Sequence, residues 1–136
     1  MNRAIEHYCT YFDRGFLPQG LALWRSLARH DPAAELWVLA LDDFTAGVLG
    51  ELGEPRLHVV PLAELEAGDP GLARAKENRT KVEYYFTLSP CWPRWLLAAR
   101  PAMRRLTYLD ADLVFFSSPE RIFARSEEHT SELQSH

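Results

Sequence analysis

The chain has 136 residues, of which 47% are hydrophobic and 25% are charged, as expected of one ordinary globular domain. Its net charge of −4 and its lack of a dense Lys/Arg run exclude the electrostatic signature of nucleic-acid binding. No segment reaches the roughly 18 apolar residues of a membrane-spanning helix, and the N-terminus has no signal-peptide core. These features predict a cytoplasmic protein with no transmembrane segment and no nucleic-acid partner.

The first third of the chain alternates strand and helix patterns. Residues 5–12 are rich in aromatic and β-favouring side chains and end at a turn signal, which predicts a first strand. A helix follows, with Pro18 in its first turn and apolar residues at three- and four-residue spacing, and it ends before Pro32. Residues 36–41 are continuously apolar, which predicts a second strand buried on both faces.

The same alternation continues to residue 109. Asp43 is the predicted N-cap of a second helix, residues 57–60 form a third strand, and residues 68–71 have the composition of a turn. Helical periodicity returns at Val82, and Pro93 is expected to open a separate helix. Residues 106–109 are a fourth strand.

Strands that alternate with helices at this spacing predict an α/β fold: a mostly parallel sheet with helices on both faces.

The C-terminal residues 125–136 differ in kind from the rest, because they have no apolar period and only one Leu. They are similar to one reading frame of a sequencing-adapter oligonucleotide translated in error, and a natural disordered tail is the alternative. Either origin predicts a segment with few contacts, which plays no part in the fold.

Acidic residues follow three of the predicted strands: Asp13, Asp42 and the pair Asp110 and Asp112. Ligands of open parallel sheets bind beyond the carboxyl ends of the strands, so these side chains are expected to converge there. In an extended chain, residues at i and i+2 point the same way, so Asp110 and Asp112 would face one point while Ala111 stays clear. Two carboxylates in this arrangement suit a hard cation, Mn²⁺ or Mg²⁺.

An Asp-x-Asp pattern alone is weak, because on the order of half a match is expected by chance in a chain of this length. Its context is more informative, since apolar runs at 106–109 and 113–116 flank the pair without an adjacent basic residue. Charges between buried segments need a partner, and a metal ion supplies one. A helix cap, a turn cap or a solvated loop is the alternative.

Four blocks, residues 10–23, 36–43, 78–85 and 107–113, resemble in order successive blocks of GT-A glycosyltransferases. The resemblance is to the bacterial, glycogenin-like and lipopolysaccharide-galactosyltransferase-like members, and it spans nearly all of residues 4–124. It implies that residues 1–124 are the nucleotide-sugar-binding half of a GT-A (Rossmann-like) domain, truncated after the fourth strand and its Asp-x-Asp motif. By itself such a half is expected to be inactive.

The resemblance also implies roles for individual residues. The end of the first strand would hold base and ribose, with Tyr11 or Phe12 for stacking, unless these aromatics belong to the core. Arg79 would contact donor phosphate or sugar, with a surface salt bridge as the alternative, and Lys81 is a second basic candidate. Asp110 would contact ribose or metal. The candidate donor-binding residues are Thr10, Tyr11, Phe12, Asp13, Asp42, Arg79, Lys81 and Ala111; the candidate metal ligands are Asp110 and Asp112.

The implied reaction is metal-dependent transfer of a sugar from a nucleotide-diphosphate sugar, with a UDP-sugar expected, to a glycan, lipid or protein acceptor that remains unidentified. No catalytic residue is assigned. One alternative is a phosphatase of the haloacid-dehalogenase type that uses Asp110 as nucleophile. In that class the motif normally lies near the start of the fold and a hydroxyl residue follows it, whereas Leu113 and Val114 follow here. A non-catalytic fragment is the third reading.

Overall fold

The computed structural model describes residues 5–116 together with residues 118 and 119, so the predicted tail at 125–136 lies outside the described residues. Within the described part, no helix combines the length and the apolar character needed to cross a membrane. A 3₁₀ turn at Arg14–Phe16 follows the first strand. The strands are β1 (His7–Phe12), β2 (Glu35–Ala40), β3 (Leu57–Pro61) and β4 (Leu106–Tyr108); the helices are α1 (Leu17–His30), α2 (Asp43–Glu51), α3 (Leu62–Gly68), α4 (Pro70–Glu77) and α5 (Lys81–Ala99).

The four strands form one parallel sheet in the order β3-β2-β1-β4. β2 pairs with β1 along its whole length, from His7 opposite Glu35 to Phe12 opposite Ala40. β4 pairs with only the first half of β1, from His7 to Cys9. The chain therefore builds outward on one side of β1 and then returns to the other side, so the strand order reverses between β1 and β4. This is the place where open α/β sheets bind their ligands.

Each face of the sheet carries its own hydrophobic core because side chains alternate along every strand. On one face, Leu36 and Val38 of β2 pack with α1 and α2. On the other face, Trp37 and Leu39 pack with α3, α4 and α5. The predicted α/β fold with helices on both faces, and the predicted two-sided burial of β2, are confirmed.

α5 is one continuous helix, where the sequence predicted two helices separated near Pro93. Pro90 and Pro93 both lie inside it, although an interior proline costs a helix roughly 3 kcal/mol. Residues 84, 88, 92 and 96 are buried at four-residue spacing against the sheet, and each such side chain contributes roughly 1.5–3 kcal/mol. The Trp92 indole also donates a hydrogen bond of 3.0 Å to the Thr10 carbonyl. Packing on the sheet therefore offsets both prolines.

α3 and α4 were not predicted from the sequence, which indicated only a turn at residues 68–71. The turn is confined to Asp69, whose carboxylate caps α4 by accepting the Gly71 amide at 3.2 Å. Each of the two helices buries a single residue, Leu65 in α3 and Leu72 in α4. One buried residue per helix leaves no apolar stripe for periodicity to detect.

The contact between α1 and the end of β1 predicts opposite effects of the same substitution at two helical glycines. A Cβ at Gly20 would overlap the ring of Phe12, whereas a Cβ at Gly47 in α2 would meet nothing within 4 Å. We expect Gly47→Ala to raise the free energy of unfolding by about 0.5–1 kcal/mol. We expect Gly20→Ala to lower it by about 1–3 kcal/mol through overpacking. Urea denaturation measures both, and stabilisation by Gly20→Ala would contradict the packing of α1 on Phe12.

Candidate functional site

A cleft of about 690 Å³ opens at the carboxyl ends of β1 and β4, within the usual volume range of small-ligand pockets. Three segments of the chain supply most of its lining. The end of β1 and the loop after it form one side, the first two turns of α5 form another, and β4 with the acidic turn that follows it completes the wall. The cleft therefore lies where the strand order reverses.

The acidic pair lies in a tight turn directly after β4. The Leu113 amide donates to the Asp110 carbonyl at 3.1 Å, which places Ala111 and Asp112 at the centre of the turn. The extended chain predicted for this segment is therefore wrong. The side chains nevertheless alternate, because Ala111 packs in the core while Asp110 and Asp112 are exposed. All three residues line the cleft.

Residues 113–116 do not form the strand-like buried segment that the sequence suggested. Leu113 and Val114 are 44% and 46% exposed, and neither belongs to a strand. A buried residue, Leu109, thus precedes the exposed acidic pair, whereas Leu113 and Val114, which follow it, are not buried. The sequence argument that the pair lies between two buried segments and therefore needs a metal partner is wrong.

The chemistry of the acidic turn nevertheless fits a divalent cation. Among the described residues, no basic side chain forms an ion pair with Asp110 or Asp112. The described part of the chain holds no group of three or more His, Cys, Asp or Glu that could bind a metal, so the turn offers two carboxylates. Mg²⁺ is commonly bound by one or two carboxylates, with water and substrate phosphate oxygens as its other ligands.

The end of β1 lines the cleft with Tyr11, Phe12 and Asp13, whereas the fourth predicted residue, Thr10, does not line it. Thr10 is fully buried and does not line the cleft, and Phe12 is 2% exposed because its ring packs in the core beside α1. The stacking role predicted for Phe12 and the ligand contact predicted for the Thr10 side chain are therefore not supported by their burial. For Phe12 the structure favours the core alternative.

Tyr11 connects the sheet to α5 at the floor of the cleft. Its hydroxyl donates to the Tyr85 carbonyl at 2.9 Å, and its ring lies 6.0 Å from the ring of Tyr108. Burial raises the pKa of the Tyr11 hydroxyl, and burial next to Tyr11 and Asp110 raises the pKa of Tyr108. Both phenols are therefore neutral at physiological pH. The one hydroxyl proton of Tyr11 is bonded to the Tyr85 carbonyl, so its oxygen can only accept a further hydrogen bond.

Asp42 holds the loop after β1 from outside the cleft. One carboxylate oxygen accepts the Thr45 amide at 2.7 Å and caps α2, and the other accepts the Arg14 amide at 2.9 Å. Two predictions are corrected by this geometry, because Asp42 rather than Asp43 is the cap and Asp42 does not line the cleft. Asp42 has the extended backbone that an N-cap needs.

The two basic candidates, Lys81 and Arg79, lie in different places relative to the cleft. Lys81, the first residue of α5, lines the cleft with its ammonium 5.7 Å from the Tyr85 ring centre. Arg79 is exposed outside the cleft lining, and its guanidinium donates to the Thr87 hydroxyl at 2.8 Å. Lys81 is therefore the better placed of the two to meet an anionic ligand in this cleft.

An apolar side of the cleft was missed from the sequence. Val82 and Phe86 line it and are 62% and 72% exposed. The sequence pattern used Val82 only to mark the return of helical periodicity, whereas the buried face of the helix carries Tyr84 and Leu88, two of its four buried residues at four-residue spacing. The four Trp residues pack in or against the cores, and none lines the cleft.

No family model matches the chain, whereas comparison with known proteins finds sequence relatives and solved structures that are similar to it. An uncharacterised Bacillus subtilis (strain 168) protein, YfnF, is 37% identical over 116 residues, which are 85% of this chain and 38% of that protein. A second uncharacterised protein of the same strain, YfnD, is 32% identical over 120 residues, 88% of this chain and 38% of that protein. The chain thus spans about two fifths of the length of these relatives.

The crystal structure of mouse xyloside xylosyltransferase 1 in its apo form superimposes with a TM-score of 0.52 at 14% sequence identity. The match covers 93% of this chain and 49% of that enzyme. The chain shares its fold with a xylosyltransferase. At this identity the likeness concerns the fold alone, and it confirms the Rossmann-like sheet that the sequence predicted.

The position of Asp42 predicts a difference between two adjacent aspartates. We expect Asp42→Ala to lower the free energy of unfolding by about 0.5–2 kcal/mol, because α2 loses its cap and the β1 loop loses its anchor. Asp43→Ala is the matched control. We expect it to change stability by less than about 0.5 kcal/mol, because the better helix propensity of Ala offsets the lost attraction to the helix dipole.

The effect of Asp42→Ala should depend on pH. Burial opposes ionisation of the Asp42 carboxyl, but hydrogen bonds from Thr45 and Arg14 outweigh it and hold the pKa of Asp42 below its usual value. The contribution is complete above the unfolded-state pKa of about 3.9 and is lost as pH falls through the lower folded-state value. Urea denaturation of both variants from pH 7 to pH 3 measures this, and an equal loss for Asp43→Ala would contradict the cap.

Proposed function

We propose that the chain is the nucleotide-sugar-binding part of a metal-dependent glycosyltransferase. The donor is a nucleotide-diphosphate sugar, with a UDP-sugar expected, and the acceptor is a glycan, lipid or protein. The observation that carries the proposal is the exposure of Asp110 and Asp112 in the cleft where the strand order reverses, in a fold shared with a xylosyltransferase.

The donor would bind with its diphosphate near the acidic turn. Asp110 and Asp112 would hold Mn²⁺ or Mg²⁺, which supplies Lewis-acid stabilisation of the negative charge on the departing diphosphate. Lys81 can donate to anionic oxygen from the α5 side of the cleft. A cation-bound diphosphate would need carboxylates to hold the cation and a basic group to contact phosphate oxygens, and both kinds of group line this cleft.

The remaining lining residues would orient the donor and exclude water. Tyr11 and Tyr108 present neutral hydroxyl-bearing rings between the β1 end and the acidic turn. Val82, Phe86 and Phe16 add apolar surface. Apolar walls strengthen the electrostatic contacts of the charged residues, because fewer waters screen them.

The proposal predicts that Asp112 carries cation-dependent nucleotide affinity. We expect the chain to bind a fluorescent UDP analogue more tightly with Mn²⁺ than with EDTA. We expect Asp112→Asn to reduce the Mn²⁺-dependent part at least about tenfold, because loss of a directly ligating carboxylate should cost no less than loss of an outer-shell partner. Asp43→Asn is the matched control, an exposed aspartate outside the cleft lining.

Two outcomes would contradict this assignment. Equal Mn²⁺ dependence in Asp112→Asn would remove the acidic turn from the binding site. Hydrolysis of simple phosphate esters that disappears in Asp110→Asn would favour the haloacid-dehalogenase-like phosphatase, in which Asp110 is the nucleophile.

The positions of the two basic residues give a second prediction. We expect Lys81→Ala to weaken UDP binding by about 1.5–3 kcal/mol, the magnitude of a hydrogen bond to a charged group. Arg79→Ala should have a much smaller effect, because the Arg79 guanidinium is bound to Thr87 away from the cleft. Isothermal titration of both variants measures the difference. A larger loss for Arg79→Ala would restore the role that the resemblance implied for it.

A further inference from the structure

Ser26 lies on α1, outside the cleft lining, yet it contacts the segment that follows the acidic turn. Its hydroxyl donates to the Leu23 carbonyl of its own helix at 2.9 Å. The same oxygen accepts the Phe115 amide at 2.9 Å, across 89 residues of sequence. Because the Ser26 hydroxyl donates its one proton to Leu23, its oxygen acts only as an acceptor toward the Phe115 amide.

The acidic turn is held at two points, one on each side. Before the turn, the Leu109 amide donates to the Cys9 carbonyl of β1 at 2.9 Å, so the chain leaves the sheet in a fixed register. After the turn, Phe115 is bound to Ser26, and its half-buried ring lies edge-on to Tyr8, 6.3 Å away. Between these points, counting bonds among the described residues, the Leu113 amide alone makes a backbone bond, to Asp110 within the turn itself.

The second anchor matters because the segment it holds has no regular structure of its own. Residues 113–116 pair with no strand in the described part of the chain. Leu113 and Val114 are largely exposed and contribute little packing. The separation of the Asp110 and Asp112 carboxylates depends on the shape of the turn, and a turn fixed at one end only would sample several shapes.

We propose that Ser26 is a positioning residue that holds the turn of Asp110 and Asp112 in its cation-binding arrangement. This inference rests on the proposed function, because Ser26 would change binding affinity only through the cation that the turn is proposed to hold. Ser26 itself touches neither cation nor donor. Its removal should lower affinity by letting the two carboxylates separate, so that binding must restrict them again.

The experiment compares Mn²⁺-dependent affinity for UDP in the wild type, Ser26→Ala, Ser26→Thr and Thr87→Ala. We expect Ser26→Ala to bind roughly two- to tenfold more weakly, as for the loss of one hydrogen bond. Ser26→Thr keeps the hydroxyl, and a helical Thr can still bond a carbonyl one turn back, so it should restore affinity. Thr87→Ala is the matched control, because the Thr87 hydroxyl also donates to its own helix and accepts one side-chain donor, away from the turn.

A second readout separates positioning from general destabilisation. Amide hydrogen exchange at Phe115 should accelerate in Ser26→Ala and not in Thr87→Ala, while the thermal midpoint shows that each variant is folded. If Ser26→Ala does not fold, Ser26→Cys is the milder replacement, because a thiol is a weak acceptor of similar shape.

The outcomes distinguish the two proposals. If the wild type binds UDP with Mn²⁺ and a folded Ser26→Ala or Ser26→Cys binds equally well, the positioning role is overturned and the proposed function stands. Failure of Ser26→Thr to restore affinity, or unchanged exchange at Phe115, also overturns it. If the wild type shows no Mn²⁺ dependence, both proposals fail.

Discussion

The incomplete pairing of β4 with β1 is the constraint on which the site depends. β4 ends at Tyr108, opposite Cys9, whereas β1 continues three residues further to Phe12. The chain after β4 is therefore free to turn at Asp110 beside the last residues of β1 instead of continuing the sheet. If β4 matched the length of β1, the acidic pair would emerge beyond the strand ends, and the side of the cleft next to Tyr11 would be filled by strand.

α5 serves this arrangement with two different faces. Its buried face holds the helix on the sheet, and Trp92 bonds directly to the backbone of β1. Its second face carries Lys81, Val82 and Phe86 into the cleft. The apolar residues of that face, Val82 and Phe86, are exposed and contribute little to the core of the described chain.

The strands and their order of appearance could be predicted because a continuously apolar run such as residues 36–41 has few other readings. The roles of individual residues were harder to predict, because they depend on which face of a helix or strand carries the side chain. Val82 and Phe86 have helical spacing, but so do Tyr84 and Leu88, and only packing on the sheet decides between the two stripes. Sequence also could not choose between Asp42 and Asp43 as the cap, since both are good N-cap residues and the choice rests on one backbone conformation.

The residues that surround the cleft divide into those that face it and those that fix its loops. Asp42 bonds the loop after β1 from α2, and Ser26 bonds the segment after the acidic turn from α1. Both helices lie on the same face of the sheet, so the packing of that face restricts the 3₁₀ turn after β1 and the irregular segment after the acidic turn. Asp110 and Asp112 form no ion pair with a basic residue in the described part of the chain, so their carboxylates repel each other, and a loose turn would relieve that repulsion by letting them move apart. Anchors on both sides of the turn oppose that relief and hold the two carboxylates at the edge of the cleft.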